Sequence, residues 1–141
     1  MDAAGTEEPG RFGFDWAEFH QHSAEALLLV GDTGQAKRHA TQSIGLKTPG
    51  SGGWAAATVI LAQAHASERN PADAVALATA VLDAVPAASL RETTRRRLDT
   101  LDRILHAERN PGPASHDLRD RLSALPPHTL PTRTSPEPNG Q

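Results

Sequence analysis

The chain has 141 residues, with 14 basic residues, 17 acidic residues, 7 histidines and a net charge of -3. That length bounds one domain, the lack of cysteine excludes disulfides and thiolate-held metal, and no apolar run approaches the roughly 18 residues of a membrane span. The opening Met1-Asp2-Ala3-Ala4-Gly5-Thr6-Glu7-Glu8 is acidic and polar, unlike a signal or transit peptide, so a cytoplasmic chain is expected.

Residues 1–13, rich in Gly, Pro and Glu, predict a disordered N terminus. Asp15 and Glu18 form a capping box that opens a first helix, with Phe14 and Phe19 in hydrophobic-staple positions. This helix runs to about Val30, and Gly31 ends it. Asp32, with Gln35 in the reciprocal position, caps a second helix that reaches about Leu46. Thr48 to Gly53 read as a loop. A third helix follows over about Trp54 to Glu68. Asn70 then caps a fourth, with Pro71 in its first turn and Asp73 at the positive end of the dipole. Pro86 stops that helix, and Ser89 with Glu92 forms a capping box for a fifth that reaches about Arg109. A short sixth helix spans about Ala114 to Leu125 before Pro126 and Pro127. The tail over 126–141 is Pro-rich and expected to be disordered.

The turns repeat. Gly31-Asp32-Thr33-Gly34-Gln35-Ala36 is followed by Arg69-Asn70-Pro71-Ala72-Asp73-Ala74 and Arg109-Asn110-Pro111-Gly112-Pro113-Ala114, at spacings of 38 to 40 residues. His65-Ala66-Ser67-Glu68-Arg69-Asn70-Pro71 also reads closely against His106-Ala107-Glu108-Arg109-Asn110-Pro111. Such a period marks stacked helical hairpins, each too small to bury its own apolar face. Small residues fall midway along the first helices (Ala24, Ala62) and on the second helices (Ala36, Ala40, Ser43; Ala74, Ala78, Val81; Ala114), with prolines closing the units at Pro49, Pro86 and Pro126. Small residues let crossing helices approach to about 8–9 Å. In the third unit Asp102, Leu118 and Arg121 replace small residues, which weakens the third repeat or marks it as a terminal cap with a polar outer face.

In this pattern the chain resembles the tetratricopeptide repeat. The resemblance implies an all-α fold of about six helices over residues 14–125, with antiparallel hairpins stacked in a short right-handed TPR-like array. With its abundant alanine and its twelve arginines to two lysines, a codon bias of high-GC genomes, the segment 14–125 also resembles the C-terminal sensor region of Xre-type transcriptional regulators of high-GC bacteria. That likeness implies a non-catalytic domain that receives a protein or peptide or forms a homodimer. The chain has no room for a DNA-binding domain before Phe14, so direct nucleic-acid contact is not carried over. A general interaction adaptor and a small helical enzyme or metal protein are the alternatives.

Superposing the turns aligns the first helices in three rows: Glu18, Ala56 and Arg96; Gln21, Val59 and Asp99; Glu25, Gln63 and Arg103. These rows predict a partner-binding groove, acidic at one end and basic at the other, formed by Glu18, Gln21, Glu25, Val59, Gln63, Arg96, Asp99 and Arg103. Phe12, Phe14 and Trp16 form a candidate dimer edge, since an open end of a stack exposes apolar surface. Arg91, Arg95, Arg96, Arg97 and Arg103 point in several directions and are interrupted by acids, so helix-surface pairs such as Arg95 with Asp99 are expected rather than a phosphate-binding patch. His20 and His22, two apart on a helix, face nearly opposite sides, so no metal or cofactor is expected. The glycine loop lacks a P-loop ending and reads as a flexible linker. Ser115, His116 and Asp117 are adjacent on one helix and cannot converge as a triad, so no catalytic residue is assigned.

Overall fold

The structure, a computed structural model, describes residues 15–127. Among the described residues the chain is all-helical: α1 (Trp16–Leu29), α2 (Thr33–Gly45), α3 (Gly52–Ser67), α4 (Pro71–Ala84), α5 (Glu92–His106) and α6 (Pro113–Ser123), with a 3-10 turn at Ala87–Ser89 and no strand. No helix is long and apolar enough to cross a membrane. Phe12, Phe14 and most of the Pro-rich tail lie outside the described residues.

The helix starts divide into capped and uncapped. Asp15 accepts from the Ala17 and Glu18 amides, Asp32 from the Gln35 amide, and Ser51 from the Trp54 amide, satisfying backbone donors that have no helical partner. Asn70 stands at the start of α4 without capping it, because its amide donates instead to Asp73 Oδ2 at 2.7 Å. Ser89 is not the cap of α5 either. It sits in the 3-10 turn, and α5 starts one turn later behind Arg91. The expected loop at Thr48–Gly53 is shorter than read: Gly52 and Gly53 already belong to α3. They are there for close approach rather than flexibility. A Cβ on Gly52 would lie 3.0 Å from the Ser89 carbonyl oxygen, and one on Gly53 would lie 3.0 Å from Lys47 Cδ.

The first two hairpins are laced by small residues placed symmetrically about their turns. Ala24 and Ala36 stand six residues either side of Val30, and Ala17 and Ser43 thirteen either side. The Ser43 hydroxyl donates to the Ala17 carbonyl at 2.8 Å. About Asn70, the pairs Ala66 and Ala74, Ala62 and Ala78, Val59 and Val81, and Ala55 and Val85 are likewise equidistant, and all are buried in one core cluster. The third hairpin uses leucine instead: Leu98, Leu101, Leu105 and Leu118 are buried, with Leu122 and Leu125 packed against them. Each fully buried leucine contributes roughly 2–3 kcal/mol.

α3 is the hub. It packs against α2, α4 and α5, and lightly against α1. The two junctions differ. The second hairpin docks through α3 onto α2, whereas the third lies alongside the second, α5 against α3 and α6 against α4, and α4 at most grazes α5. The reason is the connection over 85–91, whose Val85 and Leu90 are both buried and which carries the chain away from α4 before α5 begins.

Of the predicted small positions, Ala24, Ala36, Ala40, Ser43, Ala62, Ala74, Ala78 and Val81 are all fully buried, but Ala114 is exposed. The third turn does not superpose on the second. After α3, Arg69 adopts φ 62°, the Arg69 amide bonds to Ala66 O and the Asn70 amide to His65 O, a Schellman closure, and Pro71 starts the next helix at once. The similar text Arg109-Asn110-Pro111 is not followed by a helix until Pro113, so Ser115 and Leu118 face inward in place of Ala114.

Candidate functional site

The first helices α1, α3 and α5 place polar side chains on one face. At its centre the guanidinium of Arg97, from α5, donates through Nη2 to Glu25 Oε2 of α1 at 3.0 Å and through Nη1 to Gln63 Oε1 of α3 at 3.3 Å. One residue thus ties the third hairpin to the first across the second. The pair is partly exposed, with 26% of the Glu25 side chain and 30% of the Arg97 side chain accessible. Gln63 lies beneath it, buried.

Along α1 the network continues. His22 Nδ1 lies 3.2 Å from Glu25 Oε1, and His22 Nε2 lies 3.7 Å from Glu18 Oε1. Lys47, just beyond α2, donates through Nζ to Glu18 Oε2 at 2.9 Å and to the Gln21 amide oxygen. A chain of polar contacts therefore runs Lys47, Glu18, His22, Glu25, Arg97 and Gln63. Carboxylates and amides with cations between them can exchange these internal bonds for those of a polypeptide laid across the face.

Three predicted groove residues, Glu18, Glu25 and Gln63, meet here, and Gln21 is present but buried as an acceptor for Lys47. Val59 is not a groove residue. It is fully buried in the core. Arg96, Asp99 and Arg103 are not in the groove either. They lie on the exposed side of α5, where Arg96 pairs with Glu92 at 3.5 Å and Arg103 donates to Thr100 Oγ1 at 3.2 Å. The physical reason is a one-residue slip. The buried series Ala55, Val59, Ala62 and Ala66 recurs as Thr94, Leu98, Leu101 and Leu105, thirty-nine residues later rather than forty. One residue turns a helix by about 100°, enough to swing Asp99 and Arg103 off the shared face. Lys47 and Arg97 escaped the sequence reading because Lys47 follows a helix and Arg97 sits in an arginine run with no period of its own.

Arg96 and Asp99 instead line a second feature, a cleft of about 390 Å³ between α5 and the end of α6. Leu122, Leu125 and Pro126 form its apolar wall. The expected partner of Arg95, Asp99, is not the one it takes: Arg95 Nη2 donates to the Pro126 carbonyl at 2.6 Å. Other cations also reach across helices, Arg119 to Asp102 at 2.9 Å and Arg121 to Asp83 at 2.7 Å.

At the opposite end of the molecule, Trp16, Phe19, Leu29, Val30 and Leu46 are the large apolar side chains that stand exposed among the described residues, and all belong to the first hairpin or its flanks. Trp16, from the predicted dimer edge, is 50% accessible. Beside it His20 of α1 and His39 of α2 bring their Nδ1 atoms to 2.9 Å. Burial, and then the neighbouring His39, hold the His20 imidazole below its ordinary pKa. The sequence reading compared histidines within one helix and missed this pair across the hairpin. The signal was available: His20 stands ten residues before Val30 and His39 nine after, one residue off the symmetry of the Ala24 and Ala36 pair. No protein family, curated protein or solved structure matches this chain, so its function is read from its own residues.

Proposed function

We propose that this chain is a non-catalytic, protein- or peptide-binding domain built of TPR-like stacked hairpins, and that it serves as the cytoplasmic sensor or dimerisation part of a transcriptional regulator. The observation that carries the reading is the Glu25–Arg97–Gln63 contact, which unites the first helices of all three hairpins in one polar face. Stacked helical hairpins use such a face to hold extended chains. The partly accessible ion pair is suited to exchange, because separating two partly solvated charges costs only about 1 kcal/mol, which a partner's own charges can offset. DNA contact is left to another part of the regulator, and self-association uses the apolar edge around Trp16.

The test is affinity capture from host lysate with wild-type protein and with Glu25→Arg, Arg97→Glu and Arg121→Glu variants. The reading expects a defined partner, a regulator component among them, that both groove variants lose and that Arg121→Glu, on the α4–α6 side, retains. An identical set of proteins from all four baits overturns it.

A further inference from the structure

The pairing of His20 with His39 is unlike the other polar contacts of the fold. Two neutral imidazoles whose Nδ1 atoms lie 2.9 Å apart share one proton, with one ring donating and the other accepting. The ring centroids are 5.1 Å apart and the rings are inclined by 35°. The contact is held from both sides by backbone that cannot easily move. α1 and α2 are clamped by the buried Ala24, Ala36 and Ala40, and by the Ser43–Ala17 hydrogen bond. Phe19 stands edge-on to both rings, 5.3 Å from His20 and 6.2 Å from His39, and Trp16 lies 6.1 Å from His20. Both histidines remain partly accessible, so an ion can reach them from solvent.

The spacing matches a coordination geometry. With metal–imidazole bonds of about 2.0–2.1 Å, two nitrogens at a right angle lie about 2.9 Å apart, and two at the tetrahedral angle about 3.4 Å. The 2.9 Å separation is that of the hydrogen bond, with the ring centroids 5.1 Å apart and close to its axis, so each ring must tilt toward a shared point for both nitrogens to meet one ion at a right angle, the square-planar or tetragonal geometry of copper(II) and nickel(II) with nitrogen ligands. We infer that His20 and His39 form a two-point chelate for a late first-row divalent cation, copper(II) ahead of nickel(II) and zinc(II), bound through both Nδ1 atoms. The order follows from the rising affinity of nitrogen sites along that series, which peaks at copper. On binding, the ring that donates in the free protein moves its proton to Nε2, so both rings stay neutral and both Nδ1 lone pairs face the ion. Among the described residues no third histidine, cysteine or carboxylate converges on the pair, so solvent fills the remaining positions. The aromatic ring collar limits their number.

The geometry supplies its own reporter. Trp16 is in ring contact with His20, whereas the other tryptophan, Trp54, begins α3 on a different hairpin. Copper(II) bound at the pair quenches Trp16. The experiment titrates copper(II) chloride into metal-stripped full-length protein and follows tryptophan emission, electron paramagnetic resonance and thermal unfolding. The expected results are one tightly bound equivalent, two nitrogen couplings in the resonance spectrum, quenching that disappears in Trp16→Phe, and a raised unfolding temperature, since a cation that binds only the native state stabilises it. His20→Ala and His39→Gln each weaken binding by roughly tenfold or more, because a single ligand forfeits the chelate's effective concentration. His22→Ala, two residues away, leaves it unchanged. If His20→Ala proves poorly folded, His39→Gln decides alone. Undetectable binding in wild type, or equal affinity in His39→Gln, overturns the inference.

Discussion

Replacing Arg97 with alanine removes the contact that joins the first and third hairpins, and its cost can be worked from the geometry. The Arg97–Glu25 pair is 3.0 Å long and partly exposed on both sides. At such a site the Coulomb gain is largely cancelled by desolvation and side-chain entropy, leaving about 0.5–1 kcal/mol. Arg97 also donates to Gln63, which is 7% accessible. Leaving that buried acceptor without its donor adds about 1 kcal/mol. Arg97→Ala is therefore expected to destabilise by about 1.5–2 kcal/mol and Glu25→Ala by about 0.5–1, with the double variant less costly than the sum. Urea unfolding of the four proteins closes the cycle, at constant slope with urea concentration. A coupling energy indistinguishable from zero, or a larger loss for Glu25→Ala than for Arg97→Ala, refutes the reasoning and with it the view that the three hairpins share a connected face.

Thr94 is buried with a hydroxyl that finds no partner among the described residues, so Thr94→Val is expected to raise stability by about 1 kcal/mol in the same assay; a loss shows that the hydroxyl is satisfied. Arg69 holds φ 62° at the end of α3, where glycine carries no Cβ penalty, so Arg69→Gly is expected to stabilise by about 0.5–1 kcal/mol, and a lower unfolding midpoint contradicts the assigned turn. Glu68 accepts from Lys37 and from Thr33, and these bonds, Lys37 first, hold its carboxyl below the ordinary value of 4.5. The unfolded chain therefore binds this proton at higher pH than the folded one, and the contribution present above pH 4.5 is lost as pH falls below it. Lys37→Met is expected to flatten the stability curve in that acid range, whereas an unaltered slope means the bond does not form in solution.

Six helices could be placed from the sequence because their determinants are local: Asp15 and Asp32 at N-termini, prolines at boundaries, and Gly31 where the first helix ends. Where the sequence reading failed, the deciding interaction was not local. Asn70 has the right chemistry for a cap, yet Asp73 competes for its amide. Ser89 and Glu92 have the spacing of a capping box, but burial of Leu90 draws the chain into a 3-10 turn first. The shared face of Glu18, Glu25 and Gln63 was legible in the sequence, the burial of Val59 was not, and the rotation of α5 was misread. There the repeated text Arg-Asn-Pro suggested a register that the leucines contradict. Reading the apolar series alone, Leu98, Leu101 and Leu105, would have set the rotation of α5 correctly, because burial of a leucine outweighs any preference a turn sequence expresses.

The change from alanine to leucine between the second and third hairpins accounts for the different packing of the third. Alanine faces allow α1 to α4 to approach closely, and close approach leaves no room for long polar side chains within the hairpin. Leucine needs a wider spacing, and the third hairpin meets it by lying alongside the second instead of wedging between its helices. The outer surface of α6 is polar, with Asp117, Arg119, Asp120 and Arg121 exposed. The first hairpin is the reverse case. Its outward side carries Trp16, Phe19 and Val30, the last of these 77% accessible, so apolar surface that favours association is concentrated at one end only. Under the function proposed above, that asymmetry confines self-association to the Trp16 end. The same proposal assigns the Glu25–Arg97 face, which lies between the two ends, to the protein or peptide partner.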